Sequence, residues 1–276
     1  MILKSKYFKT SDGVCLHYLE AGTGLPIILL PGGGFSNQIF NEQFDSFSQH
    51  FQVIALDQRG HGQSDKPDFG YRIARLAKDL HDLTQHLQMN QFHLLGHSLG
   101  TSVIYQYMDL FGDAPIQKII LVDEPCILMY DPAWSAEKMN TLGAIYSPNN
   151  IHELLNRFLS DDALSFKQGI IDQMTTTHAG EELKKELLQF MDLPAKAAKT
   201  LYLNNVCQDY RDVLSQITRP VLYITGEASL HPPNLINGWP TKSLTPNFRY
   251  FQKQKAVVTL CLKKTPNSLI KLFSTF

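Results

Sequence analysis

The stretch Gly96-His97-Ser98-Leu99-Gly100 sets a hydroxyl between two glycines. It lies directly after the apolar run Phe92–Leu95 and directly before Thr101–Leu110, a segment that can be helical. Strand, sharp turn and helix in that order lift a serine clear of a sheet, where its oxygen can attack a carbonyl carbon. Such a turn strains the serine backbone, and glycines nearby remove Cβ atoms that would collide. It also sets the Leu99 N–H at a helix start, where it can stabilise a developing oxyanion. The bare pentapeptide arises by chance in ordinary turns, so its flanks carry the argument. A second group, Pro31-Gly32-Gly33-Gly34, follows the apolar run Pro26–Leu30. Its amides either approach a ligand closely or belong to a flexible turn. Asp123-Glu124-Pro125 closes a third apolar run, Ile119–Val122.

The elements that must position these residues can be read in chain order. Val14–Leu19 alternates as a strand, Pro26–Leu30 reads as a strand buried on both faces, and Phe51–Leu56 as the next strand. Asn41–His50 is a short helix candidate. Tyr71–Leu87 carries Ile73, Leu76, Leu80, Leu83 and Leu87 on one face, the pattern of an amphipathic helix. Asp57–Asp65, dense in turn formers and charge, can pass for a solvated loop. Alternating strands and helices with short connections predict a mostly parallel sheet covered on both faces, with its active site beyond the C-terminal strand ends. Gly33, Ser98 and Asp123 all fall at such ends.

After Cys126 the texture changes. Helical patterns dominate to about Ser215: Ser135–Tyr146, Asn150–Leu159, Asp162–Thr175, Glu181–Phe190 and Pro194–Val206. These predict a helical insertion over the sheet. Met129, Tyr130, Trp134, Met139, Phe158 and Met174 either line a pocket there or pack the lobe on its base. Arg219–Thr225 returns as a strand, Phe248–Phe251 reads as the last strand, and Pro266–Phe276 as a closing helix. The expected division is therefore a core of 1–125 and 216–276 with a cap of 126–215.

Composition narrows the function classes. The chain has 276 residues, 43% hydrophobic and 18% charged, with a net charge of −1. That length can bury a sizeable core, and the near-neutral balance gives no reason to expect nucleic acid or an anionic membrane as partner. The apolar runs are too short to cross a bilayer, and Met1–Lys6 lacks the apolar stretch of a signal peptide. Cys15, Cys126, Cys207 and Cys261 form no Cys-x-x-Cys pair, which predicts reduced thiols and a cytoplasmic protein.

Taken together, these motifs resemble the α/β-hydrolase fold superfamily over residues 10 to 255. The resemblance rests on Gly96-His97-Ser98-Leu99-Gly100, on Asp57-x-Arg59-Gly60-His61-Gly62-x-Ser64, on Pro31–Gly34 where the family often has His-Gly, and on Pro220-Val221-Leu222-Tyr223-Ile224-x-Gly226-Glu227. It implies Ser98 as nucleophile, the N–H groups of Leu99 and Gly33 as oxyanion hole, structural roles for His61 and His97, and a cap after the sixth strand. The implied activity is hydrolysis of an ester or similar acyl bond in a small, partly apolar substrate. No metal or organic cofactor is expected. Serine at the elbow argues against dehalogenase or epoxide-hydrolase chemistry, which uses an aspartate there in related folds.

The chain departs from that pattern twice. No carboxylate follows Glu227, since Ala228–Phe276 contains neither Asp nor Glu. Some members carry the triad acid at the end of the sixth strand, which makes Asp123 the expected acid and Glu124 the second choice. The general base should be a histidine after the last strand, yet Thr259 stands there, and the last histidine is His231. A threonine has no usable basicity near neutral pH. Codons permitted for Ala256–Lys264, read one base out of register, can encode Cys-Ser-His-Phe-Met-Phe-Glu-Lys, which resembles the family's closing motif. A slip among the lysine codons near Lys253–Lys255 accounts for the tail; an evolved loss of the histidine is the other explanation. The second function class is accordingly a catalytically inactive, small-ligand-binding protein of the same fold.

Overall fold

A computed structural model describes residues 2–151, 153, 163–174, 181–226, 229, 248–253, 270 and 273. Its strands are β1 (Lys4–Lys9), β2 (Cys15–Ala21), β3 (Pro26–Leu30), β4 (Gln52–Leu56), β5 (Phe92–His97), β6 (Ile116–Val122), β7 (Val221–Gly226) and β8 (Phe248–Lys253). They form one eight-stranded sheet in the order β1-β2-β4-β3-β5-β6-β7-β8. Pairing is antiparallel for β1–β2 and β2–β4, and parallel from β4 through β8. The helices are α1 (Asn41–Phe47), α2 (Ile73–His86), α3 (Leu99–Phe111), α4 (Ala136–Leu142), α5 (Ala163–Met174), α6 (Glu181–Gln189), α7 (Ala195–Val206) and α8 (Arg211–Gln216).

Alternation along the strands divides the core. Ile28, Leu30, Ile54, Leu56 and Leu94 face one layer with α2 and α3. Ile27, Leu29, Val53, Ala55 and Leu95 face the other, with α1, Ile270 and Phe273. Both faces are therefore covered, which explains why the central strands read as unbroken apolar runs. The predicted strands and most helices are present. Most of Asn150–Leu159, most of the closing helix, and the side chains of Phe158 and Met174 lie outside the described residues, although Ile270 and Phe273 are helical and buried. Cys15, Cys126 and Cys207 are free thiols, and Cys261 lies outside the described residues. Among the described residues no helix is long and apolar enough to cross a membrane.

The loop after β4 is not a solvated loop. Asp57, Gln58, Arg59, His61 and Ser64 are buried. The Arg59 guanidinium meets Asp79 on α2 twice at 2.9 Å and Asp12 at 2.9 Å, so its charge is paired as burial requires. Gln58 donates to Pro31 O at 2.8 Å, and the Gly34 N–H donates to His61 Nε2 at 2.9 Å. The His61 ring also bonds Arg59 O through Nδ1 at 2.9 Å. Burial, the dominant influence, lowers the His61 pKa, which favours the neutral ring that accepts from Gly34. This loop is the scaffold for the glycine turn after β3.

Candidate active site

The serine turn has the strain its sequence predicts. Ser98 sits at φ 48°, ψ −122°, a region that costs a non-glycine residue about 1–3 kcal/mol. Its N–H donates to Val122 O at 2.8 Å, and its carbonyl accepts from Thr101 N at 2.6 Å. The flanking glycines are required by close approach. A Cβ on Gly96 would stand 2.5 Å from Gly100 O, and one on Gly100 would stand 2.2 Å from Leu30 O. α3 begins at Leu99, so the Leu99 N–H has no intrahelical partner, and the positive end of the helix macrodipole points at the serine.

The glycine turn faces this point. A Cβ on Gly32 would lie 3.3 Å from Ser98 Cβ and 3.1 Å from His97 Nδ1, and one on Gly33 would lie 3.7 Å from Leu99 Cβ. The Gly34 and Phe35 amides are engaged, by His61 and by Gly32 O. Gly33 thus lies beside Leu99. Burial pushes His97 down to about 4, against a weaker opposing pull from Asp123. It is a neutral ring near neutral pH, packed behind Gly32.

Asp123 and Glu124 take different places. Asp123 has φ 56°, and its Oδ1 accepts from Thr225 Oγ1 at 2.7 Å and from Ser229 Oγ at 2.6 Å. That fixes it toward the loop leaving β7. Glu124 instead reaches the elbow serine: Ser98 Oγ donates to its Oε2 at 3.3 Å. Its Oε1 accepts from Asn205 Nδ2 on α7 at 2.8 Å and from Ser102 Oγ on α3 at 3.2 Å. Glu124 is 4% exposed. Sequence reasoning missed Asn205 and Ser102. Ser102 stands four residues after Ser98 on one helix face, a spacing that could have revealed it; nothing local marks Asn205.

The segment between β6 and β7 meets the site directly. Asp192 N donates to Gly34 O at 2.9 Å, and Ser36 N to Phe190 O at 2.8 Å. The Tyr202 ring lies against Gly33, where a Cβ would be 3.5 Å from its Cε2. Tyr130 and Trp134 pack against the core. Burial raises the hydroxyl pKa of Tyr202, and that of Tyr146 to about 12. Thr259 and His231 lie outside the described residues. Among the described residues no group of three or more His, Cys, Asp or Glu could hold a metal ion.

Comparison with known proteins agrees with this architecture. A profile described as alpha/beta hydrolase fold matches residues 26–256. The AB hydrolase superfamily protein YisY of Bacillus subtilis is 27% identical over 223 residues, 80% of this chain and 80% of that protein. Among solved structures, an esterase from Exiguobacterium antarcticum superposes with a TM-score of 0.86 at 20% identity, covering 98% of this chain and 99% of that one. A bromoperoxidase from Bacillus anthracis gives a TM-score of 0.84 at 20% identity, over 99% and 100% of the two chains.

Proposed function

The chain belongs to the α/β-hydrolase fold family, and from that premise we propose that it is a serine hydrolase acting on an ester or similar acyl bond. The observation that carries this reading is the strained Ser98 at the head of α3, facing the Gly32–Gly33 turn. In the proposed reaction Ser98 Oγ attacks the carbonyl carbon of a small, partly apolar substrate. The developing oxyanion accepts from the Leu99 and Gly33 N–H groups. Asp123, held toward the loop after β7, orients the histidine that takes and returns the proton.

Thr259 occupies the place where the family resemblance puts that histidine, so this chain's turnover is impaired by its C-terminus. The same residue favours the second reading, a small-molecule-binding protein that no longer turns its ligand over. Residues 126–215 are proposed as a cap over the strand ends. Contacts of Asp192 and Tyr202 with the glycine turn, of Phe190 with Ser36 just after it, and of Asn205 with Glu124 support that role. The free thiols of Cys15, Cys126 and Cys207 support a reducing, cytoplasmic setting.

A fluorophosphonate probe tests the nucleophile without requiring turnover. Peptide mapping is expected to place the label on Ser98, and Ser98→Ala to abolish it. Labelling of another serine with Ser98 untouched, in folded protein, would overturn the assignment.

A further inference from the structure

The reaction just described leaves Glu124 without a task, although its carboxylate touches the nucleophile. We propose that Glu124 is the proton acceptor for Ser98 in this chain, a serine–glutamate pair in place of serine–histidine. This rests on the reading of Ser98 as nucleophile.

Three features support it. Oε2 stands 3.3 Å from Ser98 Oγ, slightly beyond ordinary hydrogen-bond reach, as catalytic contacts often are before substrate binds. Oε1 is held by Asn205 and Ser102, so the carboxylate is braced with its other oxygen turned to the serine. Both donors are neutral, and neither competes for the Ser98 proton as a base. Asp123, the adjacent acid, is committed to Thr225 and Ser229, so the two carboxylates do not duplicate one another. The surroundings are largely dry, and electrostatic effects on a proton transfer are correspondingly strong.

The step balances within the site. As Ser98 Oγ bonds to the carbonyl carbon, its proton passes to Glu124 Oε2 and the carbonyl electron pair moves onto the oxygen. When the intermediate collapses, the ester C–O bond breaks and Glu124 returns the proton to the departing alkoxide. Water then attacks acyl-Ser98 in the same manner, giving its proton to Glu124. Collapse releases the carboxylic acid and restores the Ser98 hydroxyl. A carboxylate is a weaker base than imidazole, so the pair works best on leaving groups that need little protonation.

Fluorophosphonate labelling of Ser98 provides the test, followed by mapped mass spectrometry across pH. Several titratable groups bear on Glu124: Tyr105 on α3, Tyr146 after α4, Tyr202 on α7, Tyr210 before α8 and Tyr223 on β7, with Asp123 and Cys126 beside it in the chain. Burial holds the five tyrosines above the ordinary phenol range and pushes Cys126 up to about 12. Neither the five tyrosines nor Cys126 produces a rate change on the acid side of neutrality. Glu124→Gln is expected to slow Ser98 labelling at least about tenfold and to remove the acid limb of the rate profile. Asp123→Asn is expected to keep that limb. Should Glu124→Gln fail to fold, Glu124→Asp, which withdraws the carboxylate by one methylene, is expected to label at least about tenfold more slowly with the limb retained. Labelling by a folded Glu124 variant at the unsubstituted rate, with the limb intact, overturns the proposal and leaves Ser98 standing. Absence of Ser98 labelling in the unsubstituted chain overturns the nucleophile itself.

Discussion

Replacing the chain beyond about Lys255 by its one-base-shifted reading is expected to raise hydrolysis of short p-nitrophenyl esters by about 10²–10⁴-fold. That range is what a positioned general base contributes. In the proposed reaction Ser98, at its strained turn facing Gly32 and Gly33, and Asp123, held toward the loop after β7, already stand at the strand ends, while Thr259 cannot accept a proton. Hydrolysis without an imidazole rests on oxyanion stabilisation, binding and whatever Glu124 supplies. The single substitution Thr259→His is expected to recover less, because the residues around it keep the unshifted sequence. Steady-state kinetics on the three chains decides the matter. A repaired chain no faster than the present one removes the argument that the C-terminus limits turnover.

Gly100→Ala is expected to destabilise the protein by about 3 kcal/mol or more, or to prevent folding. The added Cβ would stand 2.2 Å from Leu30 O and 2.8 Å from Leu30 C. Those are backbone atoms of a central strand, buried on both sides, and cannot swing away as a flexible side chain would. Relief requires α3 to lift from β3, which also moves Ser98 and the Leu99 amide away from Gly33. The control is Gly169 in α5, where an added Cβ meets nothing within 4 Å. Gly169→Ala is expected to be neutral or stabilising by about 0.5–1 kcal/mol. Denaturant midpoints of the two variants give the comparison, and similar midpoints would refute the packing argument.

The central strands were legible because burial on both faces leaves unbroken apolar runs, and the turns beyond them because glycine and strained serine leave a residue-level signature. β1 was not. Lys4-Ser5-Lys6-Tyr7-Phe8-Lys9 lies at the sheet edge, where only Phe8 is buried, so its apolar pattern is too thin to announce a strand. α8 was missed because it is only six residues long. The Asp57–Asp65 loop misled for another reason. Its charges pair with distant partners, Arg59 with Asp79 and Asp12, and Asp57 with His17, so polar composition did not mean exposure. The two acids after β6 could not be told apart by sequence. Their positions separate through the left-handed backbone of Asp123 and through Asn205, which stands 81 residues from Glu124.

The most direct measurement of the central claim is peptide mapping after a brief reaction with p-nitrophenyl acetate. Attack by Ser98 on so activated an ester needs little help from a base, whereas hydrolysis of the acyl-serine needs more. The acyl-enzyme should therefore accumulate. The result expected is an acetyl group on the peptide carrying Ser98, absent from Ser98→Ala. Release of p-nitrophenol with the acetyl group on another side chain, or undiminished release by Ser98→Ala, would contradict it.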